Sequence, residues 1–393
     1  MHVLATVLLV LSSLATLVWL SRHLMIWRER KTGFTLTASY RSPDEAPLIS
    51  VLVAAKDEEA NIGECLRTLL TQDYPNFEVI VCNDRSTDRT GAIVSAIAQQ
   101  DTRVRLMNIE HLPEGWFGKN NAMQTGIAAS NGQWICMIDA DCRQLSTRTL
   151  SVAMAYAQDK SCDLLSVLPV LEMKGFWENV VQPVCSGVMM IWFHPDKVNN
   201  PRKPNAYANG AFMLMQRDAY ETVGTHEAVR LQANEDMHMA ALVKAKGLAL
   251  RVVRSEDLYV VRMYTSLRAI LNGWSRIFYG TFGTVKRLSL SMMVMLVMGL
   301  LPYFTAAIAL TAAANGASTI WLAAGLVGLT AAMLQISVIF RFYKLINGRP
   351  GLCWTYPIGC VITVVALVKS LTKLRRGAKL VWRSTAYATG VKS

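Results

Sequence analysis

Apolar runs typical of buried strands alternate with helical segments through the middle of this 393-residue chain. The segments 48–54, 78–82, 104–109 and 134–138 have the composition of strands. The segments between them carry apolar residues at helical spacing. Strands and helices that alternate at this pitch predict a mostly parallel sheet with helices on both faces, so the expected fold class is α/β.

Acidic residues stand where these strands end. Asp57 and Glu58 follow the first strand, Asp84 follows the second, and Asp139 and Asp141 follow the last. Because ligands of open α/β sheets bind at the carboxyl ends of the strands, this edge predicts a nucleotide site. Two carboxylates one residue apart suit Mg²⁺ or Mn²⁺ holding a diphosphate, with the metal acting as a Lewis acid. A structural alternative for Glu58 is a favourable charge at a helix N-terminus.

Two further positions carry candidate chemistry. Lys119 follows a glycine at the start of a predicted helix, where a lysine and backbone N–H groups can reach a phosphate. Its alternative is a solvated lysine. Glu235 and Asp236 open another predicted helix, and a carboxylate there can deprotonate an acceptor hydroxyl. His238, two residues later, is expected to be a solvated or structural histidine rather than a metal ligand.

Hydrophobic segments lie at both ends of the chain. Residues 3–20 have the length of a bilayer span, and Arg22, Arg28, Arg30 and Lys31 follow them. The positive-inside rule therefore places the N-terminus outside and the following domain in the cytoplasm.

Two more spans are expected at 291–314 and 319–340. The segment 352–368 is shorter, and a full crossing there would put the basic tail outside, so we expect it to be re-entrant or tilted. The segment 266–282 has one apolar and one basic face, which predicts an interfacial helix or a helix packed on the catalytic domain.

The formal net charge of +12 belongs to the end of the chain, because no Asp or Glu occurs after Asp257 while fifteen Lys and Arg do. This excess favours an anionic membrane surface as partner, and no nucleic acid is expected. The eight cysteines form no Cys-x-x-Cys pair, which indicates buried free thiols in a reducing compartment.

The expected organisation has six parts. They are an N-terminal transmembrane helix (1–24), a linker (25–47), a catalytic domain (48–257), an amphipathic interfacial helix (258–287), C-terminal transmembrane helices (288–371) and a basic tail (372–393).

Four motifs in order, over roughly residues 48–250, carry a family resemblance. They are ISVLVAAKDEEANIGECLRTLLTQDYPNFEVIVCNDRSTDRT, GWFGKNNAMQTGIAASNGQWICMIDADC, NGAFMLMQRDAY and ANEDMHMA. The chain resembles glycosyltransferase family 2. The resemblance implies a GT-A fold and an inverting transfer from a nucleotide sugar.

Carried over by motif, the resemblance implies a role for each candidate side chain. Asp57, Glu58 and Asp84 would bind the nucleoside and Lys119 would lie near the diphosphate. Asp139 and Asp141 would form the metal motif, with Asp139 also contacting the donor. Asp236 would be the catalytic base and Glu235 would help to bind the nucleotide sugar.

Further segments narrow the resemblance to membrane-anchored members associated with hopanoid and carotenoid lipids. They are LPEGWFGK, MYTSL with GWSR, and the late VWR. Processive polysaccharide synthases carry Gln-x-x-Arg-Trp on the interfacial helix, whereas this chain has NGWSR there, ending in Arg276. Arg276 is expected to help hold the diphosphate, and the departure argues against polymer synthesis.

The expected protein is a multi-pass inner-membrane enzyme with a cytoplasmic catalytic domain. It would move a sugar from a nucleoside diphosphate, with UDP the expected nucleotide, to a lipid or other membrane-associated hydroxyl. A polysaccharide synthase is the nearer alternative. A nucleotide-binding oxidoreductase is disfavoured because no Gly-x-Gly-x-x-Gly follows the first strand. A transporter or scaffold is disfavoured because 291–314 and 319–340 contain no ionisable residues.

Overall fold

A computed structural model describes residues 2–29, 34–375, 379–382 and 385–388. Arg30, Lys31 and much of the predicted basic tail lie outside these residues. The strands, in chain order, are β1 (Thr35–Leu36), β2 (Ile49–Ala55), β3 (Phe77–Asp84), β4 (Val104–Ile109), β5 (Trp134–Asp139), β6 (Cys142–Gln144), β7 (Leu164–Leu168), β8 (Val170–Leu171), β9 (Phe212–Gln216), β10 (Leu250–Ser255), β11 (Tyr259–Val261), β12 (Lys379–Trp382) and β13 (Thr385–Ala388).

Fourteen α-helices are present in the described residues. They are α1 (His2–Glu29), α2 (Ile62–Leu69), α3 (Thr90–Ala98), α4 (Gly118–Ala128), α5 (Thr149–Asp159), α6 (Phe176–Trp192), α7 (Pro195–Val198), α8 (Arg217–Thr222), α9 (Glu235–Ala245), α10 (Leu267–Phe282), α11 (Val285–Val294), α12 (Leu301–Ala314), α13 (Thr319–Leu345) and α14 (Tyr356–Thr372).

The main sheet has eight strands in the order β1-β10-β7-β9-β5-β2-β3-β4. Only β9 runs antiparallel to its neighbours. The central strand β2 is apolar along almost its whole length and nearly all of it is buried, as a strand covered by helices on both faces must be. The predicted mostly parallel α/β sheet is therefore confirmed.

Three strands bring the acidic residues together at one edge of this sheet. In the register, Ala55 of β2 lies beside Asn83 of β3, and Ala54 lies beside Asp139 of β5. Since these three strands are parallel, the residues that follow β2, β3 and β5 lie on the same side of the domain. The chain thus places its first two acidic motifs next to each other before any side-chain contact is considered.

The sequence did not reveal every element. Residues 34–36 fall in the predicted linker, yet β1 pairs with β10 at the edge of the main sheet. A second sheet of order β6-β11-β8 follows directly on the metal motif. The strands β1, β6 and β8 have only two or three residues. Such short strands carry too few residues for a periodic pattern.

All eight cysteines are buried free thiols. Burial raises the pKa of the Cys82 thiol and of the Cys162 thiol to about 12. Deprotonation is disfavoured because the protein interior solvates a thiolate poorly.

Among the described residues, four helical segments are long and apolar enough to cross a membrane. They are His2–Ile26, Val285–Ala314, Thr319–Leu345 and Pro350–Thr372. Helix α1 packs along α13, and α12 packs against α13. These contacts join the N-terminal segment to the C-terminal helices.

One backbone carbonyl joins three of these helices. Pro302 has no N–H, so it leaves the carbonyl of Met298, four residues earlier, without its helical donor. A π-helical turn over Met295–Leu300 lies at this point. Trp19 Nε1 of α1 and Gln335 Nε2 of α13 both donate to the Met298 oxygen, at 3.0 and 2.7 Å. The helix irregularity therefore becomes an interhelical hydrogen-bonded contact.

The last apolar segment begins and ends beside the helices α6 and α10. Near its start, the Arg349 N–H donates to Asn179 Oδ1 of α6 at 2.9 Å. At its end, Lys369 Nζ donates to Asn272 Oδ1 of α10 at 2.9 Å, and Ser370 Oγ donates to the Ser275 carbonyl. These bonds attach both ends of the segment to α6 and α10, and the re-entrant arrangement stays a prediction.

Gly359 sets the contact between α14 and α6. A Cβ atom at this position would lie 2.4 Å from the Val180 carbonyl oxygen. We therefore expect Gly359→Ala to push the two helices apart, cost about 1–3 kcal/mol and lower the melting temperature in detergent. Gly187→Ala on α6 is the matched control, because open space surrounds that position. Equal melting temperatures for the two variants would contradict this packing.

Candidate active site

A cavity of 1520 Å³ lies between the carboxyl edge of the sheet and the helices α6 and α10. Residues from all three acidic motifs line it. Of the predicted site residues, those that line the cavity are Glu58, Asp84, Lys119, Asp139, Asp141, Glu235, Asp236 and Arg276. Residues 84 and 276 are separated by almost half of the chain, so their meeting is a property of the fold.

Asp57 does not line this cavity. Its backbone has a φ of 53°, and its carboxylate accepts a hydrogen bond from the Thr87 N–H at 2.8 Å. The Asp57 N–H in turn donates to Ser86 Oγ at 3.0 Å. These bonds tie the loop after β2 to the loop after β3, so the contacts of Asp57 support the loops beside the cavity rather than its wall.

Asp84 is buried and paired with its neighbour Arg85. The guanidinium donates two hydrogen bonds to the carboxylate, at 2.7 and 2.9 Å. Lys56 lines the cavity too, and its ammonium lies 3.3 Å from the carbonyl oxygens of both residues. Sequence reasoning missed Lys56, although its position directly after the first strand was a signal.

Lys119 joins the second acidic motif to the third. Its ammonium lies 2.7 Å from Asp139 Oδ1 and 2.8 Å from Glu235 Oε1. Burial alone would lower the pKa of Lys119, but these two carboxylates outweigh it and hold the pKa well above its usual value. The lysine predicted to lie near a diphosphate is therefore a permanent cation at the centre of the acidic residues.

Asp139 and Asp141 are the cavity residues whose chemistry suits a divalent cation. Burial, followed by repulsion from Asp139 and Glu58, raises the pKa of Asp141 to about 7. Carboxylates crowded in this way are relieved by a cation. Within the described ranges, no three His, Cys, Asp or Glu residues form a ready-made metal cluster. Mg²⁺ usually takes one or two carboxylates together with substrate phosphates, so the pair suffices.

Asp236 is held by two backbone amides at the start of α9. Its Oδ2 accepts from the Gly210 N–H at 2.8 Å, and its Oδ1 accepts from the Met237 N–H at 2.7 Å. Burial, followed by repulsion from Glu235, raises the pKa of Asp236 to about 7. A carboxylate with a pKa near the working pH is suited to general base catalysis.

Asn234 fixes the start of α9 against the helix α10. Its side-chain amide donates to the Ile277 carbonyl at 3.1 Å and to Thr281 Oγ1 at 2.8 Å. His238 Nδ1 lies 2.9 Å from the carbonyl of Asn234, the residue that precedes α9. The position of Asp236 thus depends on α10.

The other end of the cavity is apolar. Met189 and Met190 of α6, Phe193 after it, Ile277 of α10 and Phe342 of α13 line this end. Helix α13 is one of the four helices suited to a membrane. The cavity therefore runs from the acidic residues to α13, a helix long and apolar enough to cross a membrane.

Comparison with known proteins finds a family match within this chain. Residues 50–224 match the model of glycosyl transferase family 2. These residues are a glycosyltransferase family 2 domain. The chain is 39% identical over 99 residues to the probable glycosyltransferase YdaM of Bacillus subtilis (strain 168), which covers 25% of this chain and 23% of that protein.

A second relative is the 4,4'-diaponeurosporenoate glycosyltransferase of Staphylococcus aureus (strain MRSA252). It is 23% identical over 230 residues, which cover 58% of this chain and 60% of the relative. The chain thus spans less than two thirds of the length of either curated relative.

The fold is similar to that of the mannosyltransferase PcManGT from Pyrobaculum calidifontis, solved with GDP-Man and Mn²⁺. The TM-score is 0.55 at 18% identity, over 93% of this chain and 99% of that one. The predicted GT-A fold is therefore confirmed.

Gly280 on α10 offers a test of the link between Asn234 and the acidic residues. A Cβ atom there would lie 2.6 Å from the Asn234 side chain, which would have to leave its hydrogen bonds. We expect Gly280→Ala to reduce sugar transfer by more than about tenfold, because a small misplacement of catalytic groups is costly. The melting temperature should change little. Gly187→Ala, surrounded by open space, should retain full activity; equal rates for the two variants would contradict the link.

The raised pKa of Asp236 predicts a pH dependence. A general base must be deprotonated, so transfer should fall by about tenfold per pH unit as the pH drops below about 7. The initial rate measured at saturating donor between pH 5.5 and 8.5 checks this. A flat profile over that range would exclude Asp236 as a base with this pKa.

Proposed function

We propose that this protein is an inverting, metal-dependent glycosyltransferase that moves a sugar from a nucleoside diphosphate donor to the hydroxyl of a lipid or another membrane-associated acceptor. The observation that carries this proposal is the single cavity in which Asp84, Asp139, Asp141 and Asp236 meet beside membrane-suited helices. The family match of residues 50–224 and the GT-A fold support the reaction class.

The donor half of the site would lie at the sheet edge. Asp84 and Glu58 line the cavity there, where carboxylates accept hydrogen bonds from a nucleobase and ribose. Asp139 and Asp141 would hold Mg²⁺ or Mn²⁺. The bound cation would supply Lewis-acid stabilisation of the leaving nucleoside diphosphate. UDP is the proposed nucleotide, and Arg276, on α10, would add a fixed positive charge.

The acceptor half would centre on Asp236. The two amides that hold its carboxylate fix its direction, and the acceptor hydroxyl would give its proton to Asp236 as its oxygen attacks the anomeric carbon. The bond from that carbon to the diphosphate oxygen breaks on the opposite face, so configuration inverts without a covalent intermediate. Lys119 is paired with both Glu235 and Asp139, and it would hold the donor half and the acceptor half in a fixed relative position.

The acceptor would enter from the membrane. The apolar end of the cavity, between α6, α10 and α13, supports a lipid acceptor. A catalytic domain in the cytoplasm, between one N-terminal span and the C-terminal helices, is the arrangement that the positive-inside rule favours. A re-entrant Pro350–Thr372 segment would keep the basic end of the chain on this same side, next to anionic headgroups.

The proposal is tested with membranes containing the full chain, incubated with radiolabelled UDP-sugars and GDP-sugars in the presence of Mn²⁺. Label that partitions into organic solvent would support a lipid product. Label in insoluble polymer would instead favour a polysaccharide synthase. No transfer from any donor, in protein shown to be folded, would contradict the proposal.

Asp236→Asn should abolish transfer, because an amide cannot accept the hydroxyl proton. The loss should be about 10²–10⁴-fold in kcat, the usual contribution of a general base. Nucleotide binding should be preserved, measured by calorimetry with UDP and GDP. Lys369→Gln, a change on α14 that lies outside the cavity lining, is the control and should remain active. Near-normal turnover of Asp236→Asn would refute the assignment.

A further inference from the structure

The C-terminal part of the chain reaches the same cavity at one residue and packs on a residue of its lining at another. The first is Lys373, directly after α14, which lines the cavity together with Arg276. The Lys373 ammonium donates to Ser275 Oγ of α10 at 2.7 Å. An ammonium has three donors, and this bond uses one of them. The contact therefore positions Lys373 beside Arg276 and leaves it able to bind a ligand.

This pairing of two cations needs an explanation. In the described part of the chain, Lys373 has no carboxylate within salt-bridge distance. The segments that carry both cations contain no Asp or Glu at all. Burial, followed by repulsion from Arg276 and Lys369, lowers the pKa of Lys373 to about 8. A lysine at the C-terminal end of a helix is stabilised by the helix dipole. That stabilisation does not explain why Lys373 and Arg276 line the same cavity.

Tyr264 lies near both Arg276 and the metal motif. The Tyr264 ring packs at Gly273 of α10, where an added Cβ would lie 2.0 Å from it. Its hydroxyl is within electrostatic reach of Arg276 and of both Asp139 and Asp141. A diphosphate that bridges a metal on Asp139 and Asp141 would thus meet positive charge on its other side.

The second place is Tyr387 in β13. Its ring stacks on Phe117 with the ring centres 4.0 Å apart and the planes inclined by 20°. Its hydroxyl accepts a hydrogen bond from the Gly118 N–H at 3.1 Å. The hydroxyl also interacts with the guanidinium of Arg85, the residue that holds Asp84. Tyr387 therefore borders the nucleoside end of the proposed donor site, next to the residue before Lys119.

We propose that Lys373 and Tyr387 are donor-binding residues: Lys373 contacts the diphosphate together with Arg276, and Tyr387 closes the nucleoside end against Phe117 and Arg85. The inference rests on the proposed function, and it adds the C-terminal part of the chain to the donor site. The catalytic domain alone would then bind a nucleotide incompletely.

The test measures binding of UDP and uridine, and of GDP and guanosine, to the full chain in detergent with Mn²⁺, using calorimetry and competition. Lys373→Gln should raise the Kd for the diphosphates by about tenfold or more and leave the nucleosides unchanged, because a charged hydrogen bond is lost. Lys369→Gln is the matched control from one turn earlier on α14. Lys369 does not line the cavity, although its partner Asn272 does, and Lys369→Gln should change neither Kd by more than about twofold.

Tyr387→Ala should weaken diphosphate and nucleoside binding by the same factor, and Tyr387→Phe should weaken both less, because the ring stack is kept. Equal effects of Lys373→Gln and Lys369→Gln, or unchanged or tighter binding in Tyr387→Ala, would overturn the inference. Melting temperatures equal to that of the natural chain exclude unfolding as the cause. If the natural chain bound neither UDP nor GDP, the proposed function itself would fail. If the natural chain bound a nucleotide and the variants bound it equally well, only this inference would fail.

Discussion

The ion pairs of Lys119 are the interaction on which the site depends. Asp139 ends a strand, Glu235 opens a helix almost one hundred residues later, and one ammonium lies within 2.8 Å of both. Without that charge, the carboxylates at the head of α9 would repel those at the end of β5. The high pKa of Lys119 means that the cation persists at every pH at which a protein of this kind works. The lysine therefore supports the geometry before any ligand arrives.

A series of contacts connects the acidic residues to the apolar helices. Asn234 fixes the start of α9 to α10, α14 is bonded to α10 at Ser275, and α14 packs on α6 through Gly359. Each of these connections between helices is a short polar contact or a close approach of two backbones. The catalytic domain and the apolar helices consequently form one continuous packed unit, and a change in a helix distant in sequence can move Asp236.

Much of this could be predicted from the sequence. The strands β2, β3, β4 and β5 were predicted within two residues, because short apolar runs that alternate with helical segments are typical of a buried parallel sheet. The meeting of Asp84, Asp139 and Asp236 followed from family motifs and from the common direction of the strands. The position of the Asp57 side chain could not be predicted from the sequence, because a positive φ and a hydrogen bond from the Thr87 N–H direct its carboxylate toward a loop. Lys56, Lys373 and Tyr387 carry no motif, so their places depend on long-range packing.

The burial of every native cysteine has a practical consequence. Because all eight thiols are enclosed and those of the catalytic domain are held protonated, water-soluble maleimides should find little to react with on the folded protein. A single cysteine introduced at an exposed site would then be labelled selectively by a reagent added to one side of a membrane. The orientation of the chain could therefore be mapped with single introduced cysteines, and the natural cysteines would not have to be removed first.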